Sequence, residues 1–162
     1  LEEKTFLKLI RENQGIIFKV VSFYAADAEE KKDLYQEILL QSWKGINSFR
    51  GDAQFSTWLY RVCLNTVFTS RRKRVPYVFT DVIPETGTAT TPAAFEKEDI
   101  QALHHALRRL SDVDRAIALL HLDGYGVSEI AGMLGISPNH LSVKWYRIRQ
   151  QLAKILKPAH HE

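Results

Sequence analysis

Two clusters of cationic side chains are the first candidates for chemistry in this chain. One is the run Arg71-Arg72-Lys73-Arg74, which with Arg61 gives five basic residues and no acidic one between 61 and 74. The other is Lys144, Arg147, Arg149, Lys154 and Lys157, in a stretch with no Asp or Glu between Glu129 and Glu162. Guanidinium and ammonium groups gathered in this way neutralise phosphate, the electrostatic footprint of a nucleic-acid binder. Aromatics beside the first run could stack unpaired bases while the charges hold the backbone. Each cluster also has a plainer reading: cations suit a helix C-terminus, and a basic face is often only a solvated face. The residues alone leave both open.

Bond-making chemistry finds no such footing. The chain has no Gly-rich loop with a phosphate-binding Lys, no HExxH and no GxSxG, and its sequence supports no paired-carboxylate site. The segment YGVSEIAGMLG is no dinucleotide fingerprint, because no strand precedes it. His104, His105 and His121 lack Cys or acidic partners at ligand spacing, so no metal site is expected. Cys63 is the lone cysteine and sits in an apolar helical pattern, which reads as a small buried hydrophobe. An enzyme is not expected, nor a cofactor, nor a small-molecule substrate.

The elements that must position these charges read as helices almost throughout. From Leu122 to Leu156 the pattern is helix, tight turn, basic helix. Ile130, Ala131 and Leu134 recur at helical spacing; Gly135 suits a left-handed helix end, Ser137 an N-cap and Pro138 a first helical position. Leu141, Trp145, Ile148, Leu152 and Ile155 then mark one face of a 3.6-period helix. Small Ala131 lets the two helices cross closely and steeply, the geometry of a DNA-binding helix-turn-helix.

Earlier in the chain, residues 2 to 24 form one apolar pattern, with Gly15 as the expected interruption or bend. Asp27 is an N-cap for a helix from about Ala28 to Ile46, whose core face carries Leu34, Ile38, Leu39, Ser42 and Ile46. Asp52 is expected to cap a helix from about Ala53 to Arg74, with Phe55, Trp58, Leu59, Val62, Cys63, Thr66 and Val67 at core spacing and Tyr60, Arg61, Leu64 and Asn65 elsewhere. Residues 75 to 95 break the pattern with Pro76, Pro84, Pro92 and the tract ETGTATTPAA, which reads as a linker. Helix returns over 97–110. Ser111 to Asp114 resembles a capping box, and the helix after it carries Val113, Ile117, Leu120 and His121 and stops at Gly124.

Bulk properties agree with an ordinary globular chain of 162 residues, 45% hydrophobic and 25% charged, with net charge +3. That length suits one domain or two small ones. No apolar run approaches the length needed to span a bilayer, and the N-terminus shows no signal-peptide pattern. A reducing cytoplasm and no direct membrane insertion are therefore expected. The chain begins at Leu1 and its one methionine is Met133, so a missing or altered native start is expected. His160 and His161 are given no role.

Two separated segments resemble one family. DLYQEILLQSWKGINSFRGDAQFSTWLYRVCLNTVFTSRRKR (Asp33 to Arg74) resembles region 2 of bacterial sigma-70 factors of the extracytoplasmic function (ECF) group, through DLxQExxLxxW, FRGDAxFxTWLYRVxxN and the basic tail. LRRLSDVDRAIALLHLDGYGVSEIAGMLGISPNHLSVKWYRIRQQLAKIL (Leu107 to Leu156) resembles their region 4. The resemblance implies an all-α chain of two small helical domains joined by a flexible linker: a region-2-like bundle over 1–74, a linker over 75–98 and a region-4-like helix-turn-helix over 99–162. It implies a sigma factor that binds core RNA polymerase and promoter DNA, and that an anti-sigma factor holds inactive. Asp33, Gln36, Glu37, Leu40 and Trp43 match the helix that meets polymerase. Phe49, Arg50 and Asn65 match the pocket for a flipped base of the −10 element, with Arg61, Arg71, Arg72 and Arg74 on backbone phosphate. Asn139, His140, Ser142, Val143, Lys144 and Arg147 match the recognition helix at the −35 element. Lys144 stands where the family often has Arg, and Lys cannot form Arg's bidentate fork to guanine. Trp145 stands where a smaller aliphatic is usual. A stand-alone helix-turn-helix regulator binding duplex operator DNA is the alternative; it leaves the Asp33 to Arg74 resemblance unexplained.

Overall fold

In the computed structural model, residues 2–74 and 97–156 are described; the side chains of Lys73, Arg74 and Lys97 are not among them. Nearly all of the expected linker, with Lys157, His160 and His161, lies outside the described residues. The described residues form eight α-helices and a short 3-10 turn, with no strand. The all-α expectation is met. The chain divides into two compact units, one carrying the first four helices and the other the last four.

In the first unit α1 (Glu3–Glu12) and α2 (Gln14–Tyr24) replace the single expected pattern. The break falls at Asn13 and not at Gly15. The Asn13 side chain donates to the Leu9 carbonyl at 2.8 Å, and its backbone leaves helical geometry at φ −118°, ψ 20°. An amide that satisfies a terminal carbonyl competes with continued helix, whereas exposed Gly15 costs a helix only propensity. α3 (Ala28–Gly45) starts as expected: Asp27 accepts the Glu30 N–H at 2.8 Å, and the Glu30 carboxylate accepts from the Ala26 N–H. On its core face Ile38, Ser42 and Ile46 are buried, while Leu34 and Leu39 are half-buried. Buried Ser42 donates to the Ile38 carbonyl at 2.7 Å, so its hydroxyl is satisfied.

α4 (Phe55–Arg74) begins two residues later than expected, so Asp52 is not its cap. It packs against both α2 and α3. That double contact buries more than one stripe: Tyr60 and Leu64, assigned away from the core by spacing, are each 1% exposed. Tyr60 therefore cannot offer its ring to a base. Cys63 is buried as expected, and burial pushes its thiol well above the ordinary range.

The second unit holds α5 (Lys97–Arg108), α6 (Asp112–Leu122), α7 (Val127–Leu134) and α8 (Pro138–Leu156). α8 packs against each of the other three. Ser111 caps α6 by accepting the Asp114 N–H at 3.2 Å, but the Asp114 carboxylate turns to Lys144 instead of closing the box. Val113, in that first turn, is 40% exposed. Arg115 is the polar group that spacing missed. It is buried, and its guanidinium donates to the carbonyls of Leu107, Arg108 and Leu110 at 2.9–3.1 Å. It thereby satisfies carbonyls that the end of α5 leaves without a helical partner.

Candidate nucleic-acid interface

The turn between α7 and α8 is built by the residues that sequence assigns to it. Glu129 accepts the Gly126 N–H at 3.0 Å and starts α7. Gly135 ends it at φ +74°, donating to the Ala131 carbonyl at 2.8 Å. Ser137 accepts the His140 N–H at 3.1 Å, and Pro138 opens α8. Ile130, Ala131, Leu141 and Ile148 are buried where the helices meet. This leaves Asn139, His140, Ser142, Val143 and Arg147 exposed on α8. Tyr146, 55% exposed, continues that face and was not picked out by sequence; its spacing from Ser142 and Val143 was the available signal. Gln150 donates to its phenol oxygen at 2.9 Å.

Lys144 differs from its neighbours. It is half-buried, and its Nζ lies 3.3 Å from Asp114 Oδ1 on α6. Trp145, expected as core, is half-buried between two partners: the His121 ring stacks on it at 3.9 Å and 13°, and the Arg149 guanidinium lies 5.8 Å from its centroid. His121 Nε2 is buried with no hydrogen-bond partner among the described residues. Burial, and then the Arg149 charge, hold the His121 pKa below its ordinary value.

In the first unit the 3-10 turn Ile46–Ser48 leads into the loop of Phe49 and Arg50. Phe49 is half-buried, with its ring 5.6 Å from both Phe55 and Trp58. Arg50 is exposed, and Gly51 turns the chain at φ +82°. On α4, Arg61, Asn65 and Arg72 are exposed. Asn65 lines a groove of about 740 Å³ between α3 and α4, together with Asp33, Glu37 and Gln41. The structure thus groups Asn65 with Asp33 and Glu37 of α3, while the contacts of Phe49 run to Phe55 and Trp58. Arg71 is half-buried and occupied: it donates to the Tyr24 carbonyl at the end of α2 and lies 5.8 Å over the Tyr24 ring. The Arg74 side chain lies outside the described residues.

On α3, Asp33, Gln36, Glu37, Leu40 and Trp43 are all exposed along one stripe. Trp43 meets Phe6 edge-on at 5.0 Å, which fixes the ring while leaving it 44% exposed. Exposed Leu7 and Phe18, on α1 and α2, were not singled out by sequence. Phe18 stacks on Tyr35 at 5.3 Å, and Gln14 donates to the Tyr35 hydroxyl at 2.8 Å. No group of three or more metal-ligating side chains occurs among the described residues. No helix among them is long and apolar enough to cross a membrane.

Two family models match the chain: sigma-70 region 2 over residues 9–75, and sigma-70 region 4 over residues 100–152. The chain is 25% identical to the RNA polymerase sigma-H factor of Pseudomonas aeruginosa, over 97% of this chain and 89% of that protein. It is 27% identical to the ECF RNA polymerase sigma-E factor of Escherichia coli, with the same coverage. The ECF RNA polymerase sigma factor SigM of Mycobacterium tuberculosis is 26% identical over 93% of this chain and 76% of its own length. Among solved structures, the fold resembles the sigma factor RpoE in complex with the anti-sigma factor NepR from Bartonella quintana, with a TM-score of 0.76 and 22% identity over 95% of this chain and 98% of that one. It also resembles CnrH in complex with the cytosolic domain of CnrY, at 0.68 and 18% over 97% and 90%.

Proposed function

The chain belongs to the ECF group of the sigma-70 family, and from that premise we propose how it directs transcription initiation: it binds core RNA polymerase, reads a −35 and a −10 element, and stabilises the DNA that melts at the −10 element. The observation that carries this reading is the pairing of two family regions in one chain with an exposed side-chain set in each. A stand-alone operator-binding regulator has no use for a sigma region 2 and is not favoured.

Each set has a chemistry suited to its role. The α3 stripe of Asp33, Gln36, Glu37, Leu40 and Trp43 offers carboxylates around exposed apolar anchors, which suits a protein surface such as that of polymerase. Asn65 presents an exposed amide able to pair with the edge of an extruded base, and by the family resemblance the loop of Phe49 and Arg50 would supply further contacts to it. Unstacking a base costs a few kcal/mol, so contacts made only after extrusion favour the open state. Arg61, Arg72 and Arg74 would hold phosphate, with Arg71 shared between that role and the end of α2. On α8 the exposed face suits the major groove. Residues 75–98 serve in this account as the linker between a polymerase and −10 domain and a −35 domain. An anti-sigma partner of the kind seen with RpoE would act by covering these same surfaces. The protein works in the cytoplasm and adds no catalytic group of its own, since polymerase makes the bond.

The test is Asn65→Ala in the full chain with core polymerase. Polymerase binding should be unchanged while permanganate-detected opening at the −10 element falls by about tenfold. Equal opening by the variant would remove Asn65 from the account.

A further inference from the structure

Resting on the reading of α8 as the −35 recognition helix, we propose that Asp114 is a positioning residue that sets the sequence selectivity of Lys144. A free lysine on a recognition helix is a mobile point charge, drawn to whichever phosphate is nearest. Lys144 is not free. Its Nζ is held 3.3 Å from Asp114 Oδ1, and both side chains are largely shielded, at 31% and 23% exposure. Asp114 itself is anchored, because its N–H caps onto Ser111 in the first turn of α6. At the third helical position its carboxylate would ordinarily close a capping box; here it is spent on the recognition helix instead.

The pairing has two consequences. First, Asp114 offsets the Lys144 charge and repels any phosphate that approaches it, so Lys144 is a weak backbone clamp. Moving Nζ out to a phosphate would also leave the half-buried carboxylate unpaired. Second, an ammonium has three N–H donors, and one serves Asp114. The others stay available, from a fixed position, to acceptors on base edges in the major groove, of which guanine O6 and N7 are the strongest pair. Lys lacks the rigid fork of Arg, and a carboxylate on a neighbouring helix supplies the missing orientation. No carboxylate of α8 could do so, since the helix has no Asp or Glu.

The experiment uses the full chain with core polymerase on a promoter found by library transcription, against the same promoter with single −35 substitutions, over a range of salt. Asp114→Asn is expected to lower discrimination at one −35 position by about tenfold. It should also steepen the log–log salt dependence by about 0.9, as the released lysine takes up a phosphate. Asp114→Glu, which keeps the charge, should restore selectivity. Asp114→Ser serves as a second neutral variant suited to a first helical turn should Asn unfold the unit. In a Lys144→Ala background the Asp114 substitutions should change nothing further. Unchanged discrimination in both neutral variants, or the same loss without Lys144, would overturn the inference while leaving the −35 reading in place. If Lys144→Ala itself leaves −35 selectivity intact, the recognition-helix reading and the inference fall together.

Discussion

Individual residues divide by whether the fold has already claimed them. Arg71 and Arg72 are neighbours in one basic run, yet Arg71 is tied to the Tyr24 carbonyl while Arg72 is exposed. Arg71→Ala should therefore cost the first unit about 2 kcal/mol in urea unfolding, as expected for a charged donor lost from a carbonyl. Arg72→Ala should leave stability unchanged and weaken promoter binding most at low salt. Equal stability losses would contradict the division. His121 makes a pH-dependent case. Burial and Arg149 favour its neutral form in the folded unit, while the unfolded chain titrates near the ordinary value of 6.5. As pH falls below that value the unfolded state takes up the proton first, so stability present above it is progressively lost. Thermal unfolding from pH 7.5 to 5 should show the second unit weakening. His121→Phe, which keeps a ring against Trp145, should flatten that slope; an unchanged slope would assign the effect to other groups.

At the scale of elements, the α7 turn is a device of two caps. Gly135 adopts a left-handed backbone that a Cβ disfavours, although open space surrounds the position. Gly135→Ala should cost about 1–2 kcal/mol by backbone strain alone. A loss near zero by calorimetry would mean that the turn relaxes. This element was legible in sequence because its signals are local: a glycine, a hydroxyl cap and a proline within four residues. Elsewhere local signals misled. Asn13 broke the first helix because an amide reaching a carbonyl looks the same in sequence as any surface asparagine. Tyr60 and Leu64 escaped the spacing argument because α4 is packed on two sides, and one-face periodicity assumes one neighbour. Arg115 in an apolar run carries no sign of the carbonyls it will meet at the end of α5. The pairing of Asp114 with Lys144 joins positions thirty residues apart in sequence and belongs to tertiary structure alone.

For the whole molecule, the family resemblance was legible because it rests on strings of residues and not on any one spacing. Two helical units, each with its own core, allow one chain to present separate surfaces for a protein and for DNA. Charge is distributed unevenly: α4 and α8 carry cations without a single acid, whereas α3 mixes four carboxylates with three lysines. A net charge of only +3 says little until that distribution is seen. Transcription of a genomic DNA library with sigma-free core polymerase, with and without the protein, decides whether this molecule confers promoter choice on polymerase. New start sites should appear only with the protein and share two upstream elements. Absence of new starts, with the protein alone still retarding duplex DNA, would contradict that role and favour an operator-binding regulator.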